Sequence, residues 1–469
     1  LEGLTPIFSR IEKEFTDAQS PEATRQAIES WNEHRKSIDT WKSITHLNFS
    51  QDTQNEAYKS ERDYADELSP KLIDFDVRIK KLLLASPHRE VLTKELGPQV
   101  FALWGADVTT FEPSIEDDLV KEAKLSAEYV ELLASAKIDI DGNIVNLSGV
   151  APYATHADRD TRYRAEQARW KFFSDNGEKL DEIFHELTQL RHTMATKLGF
   201  ENYIGMGYQR MQRVDYKSED VALFRKQVLE DVVPLAADLR KSQAARLGVD
   251  SLMYWDEAAY DLSGNPKPRG DEAWMIQRAR EMFDDMGEEI GSFFNMMADQ
   301  GYLDLDTRAG KAGGGFCTSF ADYGVPFVFA NFNGTKHDVE VFTHEIGHAF
   351  QNWRSRSKPI VDYIWPTYES CEIHSMSLEF LTWPFMELFF QDDAERFRKV
   401  HLTESLIFLP YGVAVDEFQH LVYANPSASP DERGEMWREV EQRYMPWRQY
   451  GDLSSPASGR RWQLQRHIY

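Results

Sequence analysis

A helical apolar period runs through most of this chain and changes texture most clearly between residues 310 and 332. Ser20 followed by Pro21 reads as a cap with proline in the first helical position, and Ile28, Trp31 and Ile38 then recur at helical spacing. Pro70 interrupts a similar run that reaches Leu84. Pro113 opens a further helix, with Ser114 as cap and Glu116 and Asp117 in its first turn. Residues 137–147 alternate around Asp141-Gly142, the pattern of a two-residue hairpin. Helices resume over about 155–173 and 178–197, the second ended by Gly199, and 262–270 reads as a loop. The changed stretch is glycine-dense at 310–315 and then apolar from Val325 to Phe332, a strand. The expected fold is mainly α with one small β-sheet element just before residue 335.

Composition removes several function classes. With 42% hydrophobic residues in 469, the chain can bury a large core, and disorder is excluded. Lys and Arg number 53 against 78 Asp and Glu, a net charge of −25. That balance excludes nucleic-acid binding, which needs a cationic surplus, and docking on anionic membranes. The most apolar stretches, 378–390 and 406–415, contain charge or proline and read as core helices rather than membrane spans. Two cysteines, Cys317 and Cys371, cannot build a disulfide framework, so a reducing, cytoplasmic setting is expected. The chain does not start with Met and shows no signal peptide, which suggests a processed or partial chain.

Directly after the strand comes His344-Glu345-Ile-Gly-His348. At this composition such a match arises by chance about 0.03 times per chain, so its setting has to carry the argument. Two His at i and i+4 converge only on a helix. Thr335 as cap, Asp338 in the first turn, and the stripe Val339, Phe342, Ile346 and Phe350 supply one. A catalytic zinc site needs a third protein ligand and leaves a fourth position to water. A second helix, starting after Pro366 and reaching about Phe390, offers Glu369, Glu372 and Glu379 within about 60° of one another. Spacing does not choose between Glu369 and Glu372. Glu379 suits a partner for the free N–H of a ligand histidine. His374 reads as structural and Cys371 as a buried thiol. Gly313, Gly314 and Gly315 suit close approach of an extended backbone.

These segments, with Asn331-Phe-Asn-Gly-Thr335 and Glu372-Ile-His-Ser-Met-Ser-Leu-Glu379, resemble the oligoendopeptidase F group of the M3 (thimet oligopeptidase-like) zinc metallopeptidases. Looser similarity reaches back through residues 158–162 and 198–203. The resemblance implies a bilobed helical metallopeptidase with a deep central channel, an N-terminal helical lobe over 1–150 and a catalytic domain over 151–469. It selects Glu372 over Glu369 as the third ligand of one zinc per chain, leaves Glu379 to orient a ligand histidine, and makes Glu345 the general base. It makes His467 a transition-state donor. The chain ends where the family continues into a tyrosine-rich stretch, so a catalytic domain lacking its C-terminal end is expected. The strand Val325–Phe332, through Phe329 and Ala330, would pair with the substrate backbone, with Gly313–Gly315 lying against it. The implied activity is zinc-dependent endopeptidase hydrolysis of short peptides. The rivals are a helical zinc carboxypeptidase or dipeptidyl carboxypeptidase, and a zinc-retaining peptide-binding protein without turnover. Oligomeric state is not legible.

Overall fold

The computed structural model describes residues 3–469. Among these, helices dominate and five short strands form two sheets. β1 (Ile138–Ile140) and β2 (Asn143–Val145) make the expected antiparallel hairpin, with Asp141 and Gly142 both at positive φ. β3 (Leu303–Asp306), β4 (Phe316–Phe320) and β5 (Val325–Phe332) form the second sheet in the order β3-β5-β4. β5 runs parallel to β3 and antiparallel to β4.

Several helix boundaries differ from expectation, each for a local reason. Ser20 does cap the helix Pro21–Gln51, its Oγ accepting from the Ala23 N–H at 3.2 Å. Pro70, however, lies inside one continuous helix, Glu56–Leu84. Leu68 and Leu72 on either side are buried in the N-terminal core, and that packing offsets the backbone hydrogen bond the proline removes. Pro113 starts only a 3₁₀ turn; the helix proper is Glu116–Ala134, and fully buried Ile115, not Ser114, occupies the cap position. The expected helix at 155 begins at Arg159, capped by Asp158. Thr335 does not cap the helix His337–Ser355; its hydroxyl donates to Asn333 Oδ1 instead. Asp338 reaches back to accept the N–H groups of Asn333 and Gly334 at 3.0 and 2.7 Å. The next helix, Tyr368–Leu381, stops short of Phe390 because Pro384 follows, and a 3₁₀ turn, Trp383–Phe385, breaks it.

Two cores fix the position of the 337–381 region. Beneath the sheet, Phe283, Phe294, Val328, Phe342, Ile346 and Phe389 pack as one buried cluster. The N-terminal helices build another around Trp31 and Trp104, and it includes Ile360 from the loop between the two helices just described. That loop is also tied by polar contacts. The Arg35 guanidinium makes a bidentate pair with Asp362 at 2.7 and 3.0 Å, and the Tyr363 hydroxyl donates to the Leu96 carbonyl at 2.8 Å. No helix among the described residues is long and apolar enough to cross a membrane.

Candidate active site

The helix His337–Ser355 turns Val339, Phe342, Ile346 and Ala349 into the core, each at most 3% exposed. His344 and His348 share another face, their Nε2 atoms 3.2 Å apart. Between them Gly347 presents a bare Cα, and the helix Tyr368–Leu381 packs directly onto it. That approach brings Glu372 Oε2 to 3.1 Å from His344 Nε2 and 3.4 Å from His348 Nε2. The three potential ligand atoms all lie within 4.8 Å of one another. The Ser375 hydroxyl donates to Glu372 Oε2 at 2.9 Å and steadies that carboxylate.

The other two glutamates separate cleanly. Glu379 Oε1 lies 2.7 Å from His344 Nδ1, and its second oxygen lies 2.6 Å from His401 Nε2. Glu369 makes no polar contact with the histidines among the described residues and pairs with Arg213 at 2.6 Å.

Charge is concentrated here. Burial alone would lower the pKa of His344, but Glu372 and Glu379 push it up to about 10. Burial raises Glu372, yet hydrogen bonds from His344 and His348 hold it well below the ordinary carboxylate range. Glu345, 6% exposed, is raised by burial to about 7, with His344 and His348 opposing. Its Oε2 is buried without a hydrogen-bond partner. Two imidazole nitrogens and one carboxylate oxygen make a donor set that suits zinc with a position left open. The orphaned carboxylate oxygen beside that set fits a site whose remaining position takes a polar guest.

The glycine segment borders the same place. A Cβ on Gly315 would stand 3.3 Å from Glu345 Oε1 and 2.9 Å from Val341 Cγ1, so only glycine lets this strand entry touch the carboxylate. Gly314 has φ +86°, and its carbonyl accepts from Asn331 Nδ2 at 2.8 Å. The Gly313 carbonyl accepts from Arg466.

Phe329 and Ala330 need correction as substrate contacts. Both are fully buried on β5, and β5 already has a neighbour strand on each side, so its backbone is not open to another. His467 is exposed and makes no hydrogen bond to the histidine–glutamate group among the described residues. It lines a cavity of about 260 Å³ with Tyr208, Arg210, His420 and Tyr423. Cys371 is not buried as expected: its thiol is partly open, donates to the Tyr368 carbonyl, and sits 3.5 Å from Glu372 Oε1. His374 is exposed. Sequence reasoning did not find His401, Ser375 or Arg213, which sit beside the site residues only through tertiary packing.

Comparisons with known proteins show which family the chain belongs to. The profile described as Peptidase M3 N-terminal domain matches residues 1–111, and that of Peptidase family M3 matches residues 153–469. Oligopeptidase A of Escherichia coli (strain K12) is 26% identical over 310 residues, 50% of this chain and 44% of that protein. Oligopeptidase A of Salmonella typhimurium (strain LT2) is 24% identical over 313 residues, 51% and 44% of the two. The chain thus spans less than half the length of these curated relatives. Among solved structures, PZ peptidase A with an inhibitor superposes at TM-score 0.99 with 44% identity, covering 100% of this chain and 83% of that one. A protein described as an oligoendopeptidase F of Bacillus anthracis str. Ames superposes at 0.93 with 44% identity, covering 98% and 84%. The Peptidase family M3 match extends over well over half of the sequence and includes every residue of the histidine–glutamate group, so the chain belongs to peptidase family M3.

Proposed function

We infer that this chain carries the catalytic machinery of a zinc-dependent endopeptidase that hydrolyses short oligopeptides. The observation that carries the reading is the convergence of His344, His348 and Glu372 beside a buried glutamate with an unpartnered oxygen. His344, His348 and Glu372 would hold the metal. Zinc bound there supplies Lewis acidity to the attacking water and to the scissile carbonyl. Glu345 takes the water's proton at Oε2 and passes it to the leaving amine nitrogen. Glu379 holds His344 through Nδ1. A substrate backbone adding to the sheet pairs with the outer strand β4, reached from Gly315, rather than with β5. His467 serves as donor to the developing oxyanion. The division into an N-terminal lobe over 1–150 and a catalytic domain over 151–469, facing each other across a channel, is part of the same reading.

The test is cleavage of an internally quenched peptide. Turnover lost to a chelator and restored by zinc supports the reading. Tight peptide binding without cleavage by the zinc-loaded chain would instead favour a peptide-binding protein.

A second reading, a dipeptidyl carboxypeptidase, draws on Arg466. Its guanidinium meets the Gly313 carbonyl and pairs with no carboxylate among the described residues, so it could hold a substrate's C-terminal carboxylate. Cleavage of peptides with amidated C-termini, at rates matching the free acids, would exclude it.

A further inference from the structure

Glu379 is joined to more than His344. Its second oxygen meets His401 Nε2 at 2.6 Å, and His401 Nδ1 in turn meets the indole Nε1 of Trp383 at 2.9 Å. His401 is 4% exposed, and its ring is stacked on Phe380 and Phe397 with interplanar angles of 22°. The ring therefore has one orientation, and four groups form a single line: Trp383, His401, Glu379, His344.

The polarity of that line follows from one group. An indole N–H can only donate, so His401 Nδ1 must be the acceptor and carry no proton. The single ring proton then sits on Nε2 and is donated to Glu379. A His401 protonated on both nitrogens would set its Nδ1–H against the indole N–H, two donors face to face. Glu379, as a carboxylate, accepts at both oxygens, from His401 on one side and from His344 Nδ1–H on the other. A cation held by His344 would take the place of its Nε2 proton, leaving the single ring proton on Nδ1 for Glu379; Nε2 is the nitrogen that faces Glu372 and His348.

We propose that Trp383 and His401 are positioning residues that set the tautomer of His344 through Glu379, keeping its Nε2 lone pair directed at the metal position. The inference rests on the zinc reading above and extends it to two residues that touch neither metal nor substrate.

The experiment is zinc affinity by chelator competition, with thermal unfolding of each zinc-free variant as a check on folding. Trp383→Phe keeps most of the ring and loses only the donor. His401→Leu breaks the line. His401→Gln offers an amide oxygen to Trp383 and an amide N–H to Glu379, and so rebuilds it. Loss of such an orienting partner typically weakens metal binding about 10–100-fold. The expected result is weakening of that order in Trp383→Phe and His401→Leu, with His401→Gln close to wild type and zinc-free unfolding unchanged in Trp383→Phe. Wild-type affinity in Trp383→Phe and His401→Leu would overturn the proposal, as would a His401→Gln variant as weak as His401→Leu. A wild-type chain that takes up no zinc would overturn the metal reading together with it, whereas normal uptake with unweakened variants overturns the positioning role alone.

Discussion

Gly347 and Ser375 meet backbone to backbone: a Cβ on Gly347 would stand 2.6 Å from Ser375 Cα and 2.9 Å from the His374 carbonyl oxygen. The two helices that supply the histidines and Glu372 touch at this point, so their spacing sets the distance between the ligand atoms. Gly347→Ala adds one methyl where only backbone can move. Alanine is the better helix former by about 1 kcal/mol, but overpacking costs about 1–3 kcal/mol, so net stability should fall by about 0–2 kcal/mol. The helices are expected to part and zinc affinity to fall at least tenfold, read by chelator competition alongside a urea titration.

Glu345→Gln keeps the size of the side chain and removes its ability to take a proton. Turnover of a quenched peptide should drop by about 10²–10⁴-fold. Zinc content by elemental analysis should stay at the wild-type value, because Glu345 is not among the grouped ligand atoms. Retained turnover would remove Glu345 from the role of base.

Glu369 and Glu372 lie one turn apart and have different partners. Glu369→Gln loses its ion pair with Arg213, a partly exposed contact worth about 0–1 kcal/mol, and weakens its hydrogen bond with Tyr216. It should bind zinc like wild type. Glu372→Gln should lose zinc. Equal loss in both variants would contradict the assignment of Glu372 as the ligand.

Glu122 gives the acid sensitivity of the fold a named source. Burial would raise its pKa, but Arg210 and Arg191 hold it at about 2 against an ordinary 4.5. A carboxylate depressed on folding stabilises the folded state above its unfolded pKa, and that contribution fades as pH falls from about 4.5 toward 2; for a shift of this size it is about 3 kcal/mol. Glu122→Gln leaves the buried Arg191 and the half-buried Arg210 without their carboxylate and should lower stability at pH 7 by about 3–5 kcal/mol. Its urea midpoint should also vary less between pH 5 and pH 3 than that of wild type. An unchanged acid slope would locate the sensitivity elsewhere.

The elements legible in the sequence were those whose own residues decide them. β5 runs from Val325 to Phe332 as expected, because an aromatic and β-branched run buried on a central strand has no competing period. The hairpin at Asp141-Gly142 follows from two residues that tolerate positive φ. The histidine pair and the cluster of glutamates were legible because helical spacing alone brings them to one face. The parts that were not legible depend on distant partners. Nothing near Glu369 signals Arg213, and nothing near Glu379 signals His401. The role of β5 was misplaced because a buried run does not reveal that strands flank it on both sides, so Phe329 and Ala330 pack inside the protein. The cap position at Ser114 was lost to a buried Ile115, and that at Thr335 to Lys336, the Thr335 hydroxyl being turned to Asn333 Oδ1.

The loop between the ligand helices is fastened to the N-terminal helices by Ile360, by the Arg35–Asp362 pair and by Tyr363. A metal site of two adjacent helices looks as if it could be excised and carried as a cassette. Here the hinge of that cassette belongs to the far end of the chain. Cutting the protein near residue 150 to isolate a minimal half would leave every candidate ligand in place and unfasten the turn that sets their angle. Interchange of N-terminal halves between relatives would face the same demand: the two halves must be matched at residues 359–363 before the ligands can meet.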